Sequence, residues 1–284
     1  MRALVVGMGG IGSNVYAPEL KRLGYSVDSV DTVAVATYSD VAQLNSNYDV
    51  AVVCTPNSTH EALARAIAPR CKFVFVDKPG LSSSIAWQKM VEDFPNTHFI
   101  MSKNNLYRAH SPFANLDLDN VYAIEINWIN ANRVPSPGSW FTNSASSWGG
   151  VKHDLFPHLY CHLVKCAPNA ALTRLSSSKL QRWRLEELAD TAYGNVVADG
   201  IYNVEDFAQE TWSINNRIPV TLTANWRGGV DKQNILVYSK DSVQEWCYGL
   251  CPADAYGRMI ETAINEDYDY HIALDTWIHT NLEI

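Results

Sequence analysis

Four short blocks of this 284-residue chain carry the side chains that could do chemistry. The first is Gly7-Met8-Gly9-Gly10-Ile11-Gly12 and the second Thr55-Pro56-Asn57-Ser58-Thr59-His60. The third is Asp77-Lys78-Pro79, and the fourth runs from Gly149-Gly150 through Lys152, His153 and Asp154 to His158. A glycine run at a helix start offers backbone N–H groups to phosphate oxygens. A lysine closing an apolar strand offers a fixed positive charge to a substrate oxygen, where charge develops during reaction. A histidine offers a base whose ordinary pKa lies near neutrality. In this order the blocks spell out a hydride-transfer site: a dinucleotide cradle, a charge for the substrate oxygen, and an acid/base.

The elements that position these blocks are legible from periodicity. Short apolar runs at Ala3–Val6, Ser26–Val30, Val50–Cys54, Phe73–Val76 and His98–Met101 read as strands. Amphipathic segments at Gly12–Leu23, His60–Ala68 and Ile85–Asp93 read as helices between them. Strands alternating with helices predict crossover units and a parallel sheet, buried on both faces. After about Asn104 the pattern changes. Partly alternating runs at Tyr122–Trp128, Glu210–Asn215 and Val220–Trp226, with a short strand at Asn234–Tyr238, predict an antiparallel sheet. A helix over Val151–Lys165 interrupts them, and Asp254–Ile264 and His271–Leu282 read as closing helices. The fold class is therefore α/β: an N-terminal doubly wound parallel sheet over 1–104, and over 105–284 an α+β domain with a large, mostly antiparallel sheet, expected to bind substrate and to mediate oligomerisation.

Within the first block, Gly7, Gly9 and Gly12 sit between strand and helix, the context in which such a fingerprint binds a dinucleotide; Gly10 and Ile11 complete the turn. Gly7 permits the tight turn, Gly9 lets the backbone approach the pyrophosphate, and Gly12 lets helix pack on strand. Asp31, nineteen residues after Gly12, follows the second strand and is placed to accept from the ribose hydroxyls and to repel a 2′-phosphate. NAD is therefore expected over NADP, with Asp28 as the fallback acid. Thr55, Pro56, Asn57 and His60 lie after the Val50–Cys54 strand, on the rim where parallel sheets bind ligands, and are candidate cofactor contacts with Asp77 and Lys78.

Composition bounds the alternatives. The net charge is −8, from 22 basic and 30 acidic residues, which argues against broad nucleic-acid or anionic-membrane binding. No apolar stretch approaches the roughly 18 residues of a membrane span. The N-terminus runs straight into Ala3–Val6, which reads as a strand and not as a signal peptide. None of the six cysteines forms a CxxC pair, so reduced thiols in a cytoplasmic protein and no metal site are expected.

With Thr55-Pro56-Asn57-x-x-His60, Asp77-Lys78-Pro79 and Gly149-Gly150-x-x-x-Asp154-x-x-x-His158 in hand, the chain resembles the glucose-fructose oxidoreductase/inositol dehydrogenase/MocA (Gfo/Idh/MocA) family over nearly its whole length. Glu205-Asp206-Phe207 before a strand pair also falls where that family has it. The resemblance implies a Rossmann domain followed by a domain on a large, mostly antiparallel sheet. It implies NAD- or NADP-dependent chemistry on sugars, polyols and related small molecules, a cis peptide before Pro79, and dimers or tetramers formed through the open face of the second sheet. It assigns His158 as acid/base and Asp154 and Lys78 as groups orienting the substrate. Asn105, Arg108, Trp140, Lys152 and His153 are secondary substrate candidates; the last two could meet an anionic group, as in a sugar acid or nucleotide sugar. The chain departs from the family in having Asp77 for Glu, Phe156-Pro157 for small residues, Lys152-His153 for apolar ones, and a compressed stretch from Asp31 to Val50. The competing readings are a reductase of a C=N or tetrapyrrole substrate on the same fold, and a non-catalytic NAD- or sugar-binding sensor.

Overall fold

The computed structural model of the chain describes residues 1–109, 111–114, 116–191, 193–250 and 255–283. The chain forms two compact units; one holds Met1–Tyr107 and the C-terminal helices, and the other begins at Arg108. In chain order the first unit contains β1 (Arg2–Val6), α1 (Ala17–Arg22), β2 (Ser26–Val30), β3 (Tyr48–Val53), α2 (His60–Ile67), β4 (Cys71–Val76), α3 (Ser84–Asp93) and β5 (His98–Met101). The strands pair in parallel in the order β2-β1-β3-β4-β5. The order reverses direction between β1 and β3, and ligands of such sheets sit above the carboxyl ends at that switch point. The five strands stand where the apolar runs predict them. The helix expected from Gly12 opens as a wide π-type turn, Gly12–Tyr16, and tightens into α1. Between Asp31 and Val50 the compressed stretch contains only the single 3-10 turn Val41–Gln43.

The second unit contains β6 (Val121–Ile129), α4 (Ser144–Ser147), α5 (Val151–Cys166), β7 (Leu172–Leu180), β8 (Phe207–Ile214), β9 (Ile218–Asn225), β10 (Lys232–Ser239) and β11 (Val243–Cys247). Its sheet runs β11-β10-β6-β9-β8-β7; β6 and β9 are parallel and the other pairs antiparallel. The α5 helix lies on β6, β8 and β9. Ile126, Leu222, Ala224, Ile214 and Ile235 fill the space beneath it and are fully buried or nearly so. Neither edge strand, β7 nor β11, was anticipated. Both are polar and exposed along almost their whole length, so no apolar run marks them.

The last two helices, α6 (Ala255–Ala263) and α7 (Tyr268–Glu283), correct the expected division at residue 104. They belong to the first unit and not to the second. Met259, Ile260 and Ala263 enter one apolar core with Ala3, Val5, Leu20 and Ile100. The physical reason is the free edge of β5. Its outward N–H groups need acceptors, because buried backbone donors are seldom left unpaired. Phe99 N–H donates to Tyr268 Oη at 2.8 Å and Met101 N–H to Asp275 Oδ2 at 2.9 Å. The Lys103 ammonium, fully buried, completes the seal by an ion pair with the equally buried Asp275. Removing one partner of a buried pair strands the other charge, at about 3–5 kcal/mol. Asp275→Ala should therefore lower the stability of the first unit by about that amount in urea unfolding; a loss under about 1 kcal/mol would show that the tail is held by its apolar face alone.

Candidate active site

The glycine turn is shaped for a close-approaching ligand. Gly7 has φ +102°, and a side chain there would begin 2.8 Å from Cys54 O. A Cβ on Gly12 would lie 1.9 Å from Gly7 O, so helix and strand meet with no room for one. Gly9 and Gly10 are exposed and face open space. Ile11 is half-buried, and no side chain caps the turn that follows it. Uncapped N–H groups at a helix start, with open space above glycines, suit a pyrophosphate.

Asp31 is engaged by the backbone of its own unit. Its Oδ2 accepts from Met8 N–H at 2.6 Å, and its Oδ1 from Val33 and Ala34 N–H at 2.7 and 2.8 Å. Burial disfavours its charge, but these three donors outweigh burial and hold its pKa below the usual carboxylate range. The carboxylate thus ties the glycine turn to the end of β2. Asp28, the fallback, is instead paired with Arg2 at 2.7 Å.

On the next two strand ends, several expected contacts turn out to be occupied by the protein itself. The Thr55 hydroxyl meets that of Thr59 at 2.7 Å, Pro56 opens the 3-10 turn Asn57–Thr59, and Asn57 is nearly buried. His60 is buried, with Nε2 2.8 Å from Thr55 O and Nδ1 2.8 Å from Gly80 O. It braces the two loops. Asp77 accepts from the Tyr16 hydroxyl at 2.8 Å, joining the end of β4 to the π-type turn. Burial raises the Asp77 pKa, against the pull of Lys78, Tyr16 and His60. Lys78 is half-buried, and its peptide to Pro79 is cis.

In the second unit, Asp154 and His158 lie one turn apart on α5. Trp226, at the end of β9, donates its indole N–H to Asp154 Oδ2 at 2.9 Å. The His158 ring is buried and stacks on Trp128 of β6, centroids 5.0 Å apart. Both indoles were missed in the sequence; each closes an alternating run, which marks it as packing and says nothing of what its N–H or face touches. Glu205, quoted only as a landmark, caps α5: its carbonyl accepts from Val151 N–H at 2.9 Å and its carboxylate from Lys152 N–H at 3.1 Å. Gly150 is required there, since a Cβ would lie 2.0 Å from Glu205 O. Asp206 beside it is fully buried and takes Arg182 Nε at 2.7 Å.

The secondary candidates divide in the same way. Lys152 is fully buried and pairs with Glu210 at 2.9 Å, so it is not available to an anionic substrate. His153 packs against Gly149, where a Cβ would fall 2.1 Å from its Nδ1. Arg108 donates to Tyr248 O at 2.7 Å and lies over the Tyr248 ring. Asn105 is fully buried in the 3-10 turn Asn104–Tyr107. Trp140 is half-buried and packs on Phe141, centroids 4.2 Å apart. Among the described residues no cluster of His, Cys, Asp or Glu could hold a metal, and no helix is long and apolar enough to cross a membrane. Cys54, Cys71, Cys161 and Cys166 are buried free thiols and Cys247 an exposed one; Cys251 lies outside the described residues.

Residues 1–104 match the model of an oxidoreductase family with an NAD-binding Rossmann fold, Gfo/Idh/MocA. That match, over the first 104 residues, supports the resemblance to this family. A protein from Amycolatopsis mediterranei strain S699, named as a UDP-kanosamine synthase oxidoreductase subunit, is 25% identical over 80% of this chain and 68% of its own. Two solved structures share the fold of the whole chain. GenD2 from gentamicin A biosynthesis, in complex with NAD, has a TM-score of 0.71 at 16% identity, covering 99% of this chain and 92% of that one. The WlbA dehydrogenase from Bordetella pertussis, in complex with NADH and UDP-GlcNAcA, has a TM-score of 0.69 at 14% identity, covering 98% and 92%.

In the second unit one carboxylate fixes the helix that carries Asp154 and His158. Glu210 of β8 is fully buried and accepts from Lys152 Nζ at 2.9 Å, the Tyr160 hydroxyl at 2.8 Å, Trp212 Nε1 at 2.8 Å, Ser177 Oγ at 3.2 Å and Arg174 Nη1 at 3.3 Å. Lys152 and Tyr160 lie on α5 either side of the Asp154–His158 turn, so Glu210 pins the helix at two points. Burial lowers the Lys152 pKa and Glu210 opposes the fall. Glu210→Ala strands two cations and should cost about 3–5 kcal/mol. Thermal unfolding measures it; a Tm within a degree or two of the parent would show that the helix is held without the pair.

Proposed function

We propose that this chain is an NAD-dependent dehydrogenase acting on a carbinol carbon of a sugar, polyol or sugar derivative. The observation that carries this reading is the pair Asp154 and His158 on one turn of α5, one oriented by the Trp226 N–H and the other by the face of Trp128. Sensors and C=N reductases have no need of an oriented carboxylate beside a buried imidazole. The Amycolatopsis relative, named for a UDP-sugar, and the Bordetella dehydrogenase, holding one, support a nucleotide sugar as the substrate class. The exposed face of the second sheet, with Leu175, Leu180 and Val243 on its edge strands, is the expected surface for a homodimer or homotetramer.

Bound NAD would supply the hydride acceptor. His158 takes the hydroxyl proton as the carbon–oxygen bond gains double-bond character, and returns it when the reaction runs in reverse. Its burial against Trp128 fixes the ring, so the proton moves along one direction. Asp154 holds the substrate hydroxyls, its own orientation set by Trp226. Lys78 supplies positive charge to the substrate oxygen as the hydroxyl proton leaves. The cradle of Gly7, Gly9, Gly10, Ile11 and Gly12 receives the pyrophosphate, and Asp31 the adenosine ribose.

Lys78→Ala and His158→Ala should each lower kcat by at least about a thousandfold while NADH still binds, measured by NADH fluorescence beside turnover on a panel of polyols, free sugars, sugar acids and nucleotide sugars. A variant that keeps most of its activity removes that residue from the mechanism. Asp31→Ala should weaken NADH at least tenfold and bring NADH and NADPH affinities together. Tighter binding of NADPH than NADH by the parent protein would overturn the role given to Asp31.

A further inference from the structure

The helix start that would receive the pyrophosphate opens with a turn one residue wider than an α-helix allows. Over Gly12–Tyr16 the Ala17 N–H reaches back five residues, to Gly12 O, instead of four. Pro18 supplies the reason. It has no N–H to donate, and in a regular α-helix its ring would collide with the carbonyl of Asn14, four residues earlier. Such wide turns are rare, and many stand at functional sites. Here the last residue of the turn is Tyr16. Its ring is fully buried and edge-on to Tyr256 of α6, centroids 5.2 Å apart.

The Tyr16 hydroxyl reaches the ends of β4 and β5. It lies 2.8 Å from Asp77 Oδ1 and 2.8 Å from Ser102 Oγ. A phenol carries one hydrogen, and an ionised carboxylate can only accept. The hydrogen therefore goes to Asp77, and the Ser102 hydroxyl donates to the phenol oxygen. Ser102 is itself buried, with its N–H on Val76 O at 2.9 Å. The Asp77 backbone is held as well: its N–H donates to Val53 O at 2.8 Å, and its carbonyl accepts from Gly80 N–H at 2.9 Å. The residue before Lys78 is thus fixed at three points, and the point that aims its side chain comes from the glycine turn.

Packing does not account for the hydroxyl. A phenylalanine would fill the same core, among Val5, Leu20 and Met259. A buried hydroxyl is costly unless bonded, so its value lies in what it bonds. Burial, with the Asp77 charge behind it, holds the Tyr16 pKa well above its usual value, and the donor stays present. Burial also raises the Asp77 pKa, and the groups that face the carboxylate oppose the rise: Lys78, the Tyr16 hydroxyl and His60. Cys54, a further titratable neighbour, is kept a neutral thiol by its own burial.

We propose that Tyr16 is a positioning residue for Lys78, acting through Asp77. Its hydroxyl aims the Asp77 carboxylate, favours its charged form, and ties the end of β4 to the turn that would cradle the pyrophosphate. The cofactor turn and the lysine then keep one spacing. Tyr16 touches no reacting atom. Its effect on turnover rests on the role proposed above for Lys78, but its hold on Asp77 does not.

The test is carbon-13 NMR of the full chain, labelled in its aspartate carboxyl and tyrosine ζ carbons and titrated with pH. In the parent protein the Tyr16 ζ-carbon should shift with the same midpoint as the Asp77 carboxyl. Separate midpoints, or a ζ-carbon that does not respond, overturn the proposal. This titration decides even if no variant folds. In Tyr16→Phe the Asp77 midpoint should rise by at least about half a pH unit; a smaller rise overturns the hold on the carboxylate. NADH fluorescence and turnover then locate the effect. Tyr16→Phe should lower kcat at least about tenfold with the Kd for NADH changed less than about threefold. A Kd raised as much as kcat falls would confine the hydroxyl to the glycine turn and overturn its action on Lys78. In an Asp77→Ala background the same substitution should cost less than about threefold further, since the hydroxyl then has no carboxylate to hold. Losses that multiply independently overturn the route through Asp77. If Lys78→Ala proves harmless, the mechanism falls, while the titrations still decide whether Tyr16 holds Asp77.

Discussion

Where parallel strands end, their last backbone groups lose the neighbouring strand that would pair them, and if buried they must find another partner. The first unit meets this demand in two ways. The ladder is carried one residue further by Gly7 N–H to Val30 O, Cys54 N–H to Val6 O, Asp77 N–H to Val53 O and Ser102 N–H to Val76 O. Beyond that step, side chains distant in sequence take over. Asp31 collects three N–H groups, His60 meets two carbonyls, His279 accepts from Leu81 and Asp275 from Met101. Each unmade bond would cost about 1–3 kcal/mol. The rim on which parallel sheets bind ligands is therefore a network of reciprocal obligations, and the loops bearing Lys78 and the glycine turn are held by it.

The second unit solves a different problem with similar means. The α5 helix must present two polar residues while twelve of its sixteen residues are buried. Apolar packing alone would permit rotation or sliding by small amounts. Charges placed beneath the helix do not: Glu205 caps its first turn, and Glu210 holds Lys152 and Tyr160 from below. A buried ion pair contributes little net stability over a well-packed apolar substitute, but it is strongly directional. Lys152, which departs from the apolar residue usual at this position, thus acts on the helix from within the fold.

Much of this was legible in the sequence, and what was not has a common cause. The five parallel strands, α5 and the closing helices carry apolar runs or faces and stand close to where these place them. The edge strands β7 and β11 do not, because an edge that is exposed on both faces needs no apolar residues: Leu172–Leu180 is broken by Ser176-Ser177-Ser178 and Lys179. The allegiance of the last two helices was equally invisible. Periodicity says that α6 and α7 have an apolar face but not which unit supplies its partner; the decisive groups, Asp275 and the Met101 N–H, look ordinary along the chain. The glycine turn, Asp31, Lys78, Asp154 and His158 were singled out by residue type and spacing, because backbone clearance and helical register are functions of spacing.

The candidates that meet partners within the protein share a further trait. His60, Lys152 and Arg108 are polar groups near a presumed ligand, and their residue types show that each needs a partner without showing whether that partner is solvent, substrate or backbone. Burial decides it, since a buried donor or charge is retained only when the protein itself satisfies it. On the proposed reading the two uses meet on one side chain, Asp31. A carboxylate offers about four acceptor positions, and three are already taken by Met8, Val33 and Ala34 N–H. A ribose hydroxyl can then claim about one hydrogen bond without unfastening the glycine turn. On the proposed reading, discrimination between cofactors comes mainly from the charge of Asp31, which its three donors keep ionised. That charge repels a 2′-phosphate whether or not the ribose is bonded. The short stretch after Asp31 fits this proposed division, because its turn is built on the same carboxylate that would screen the cofactor.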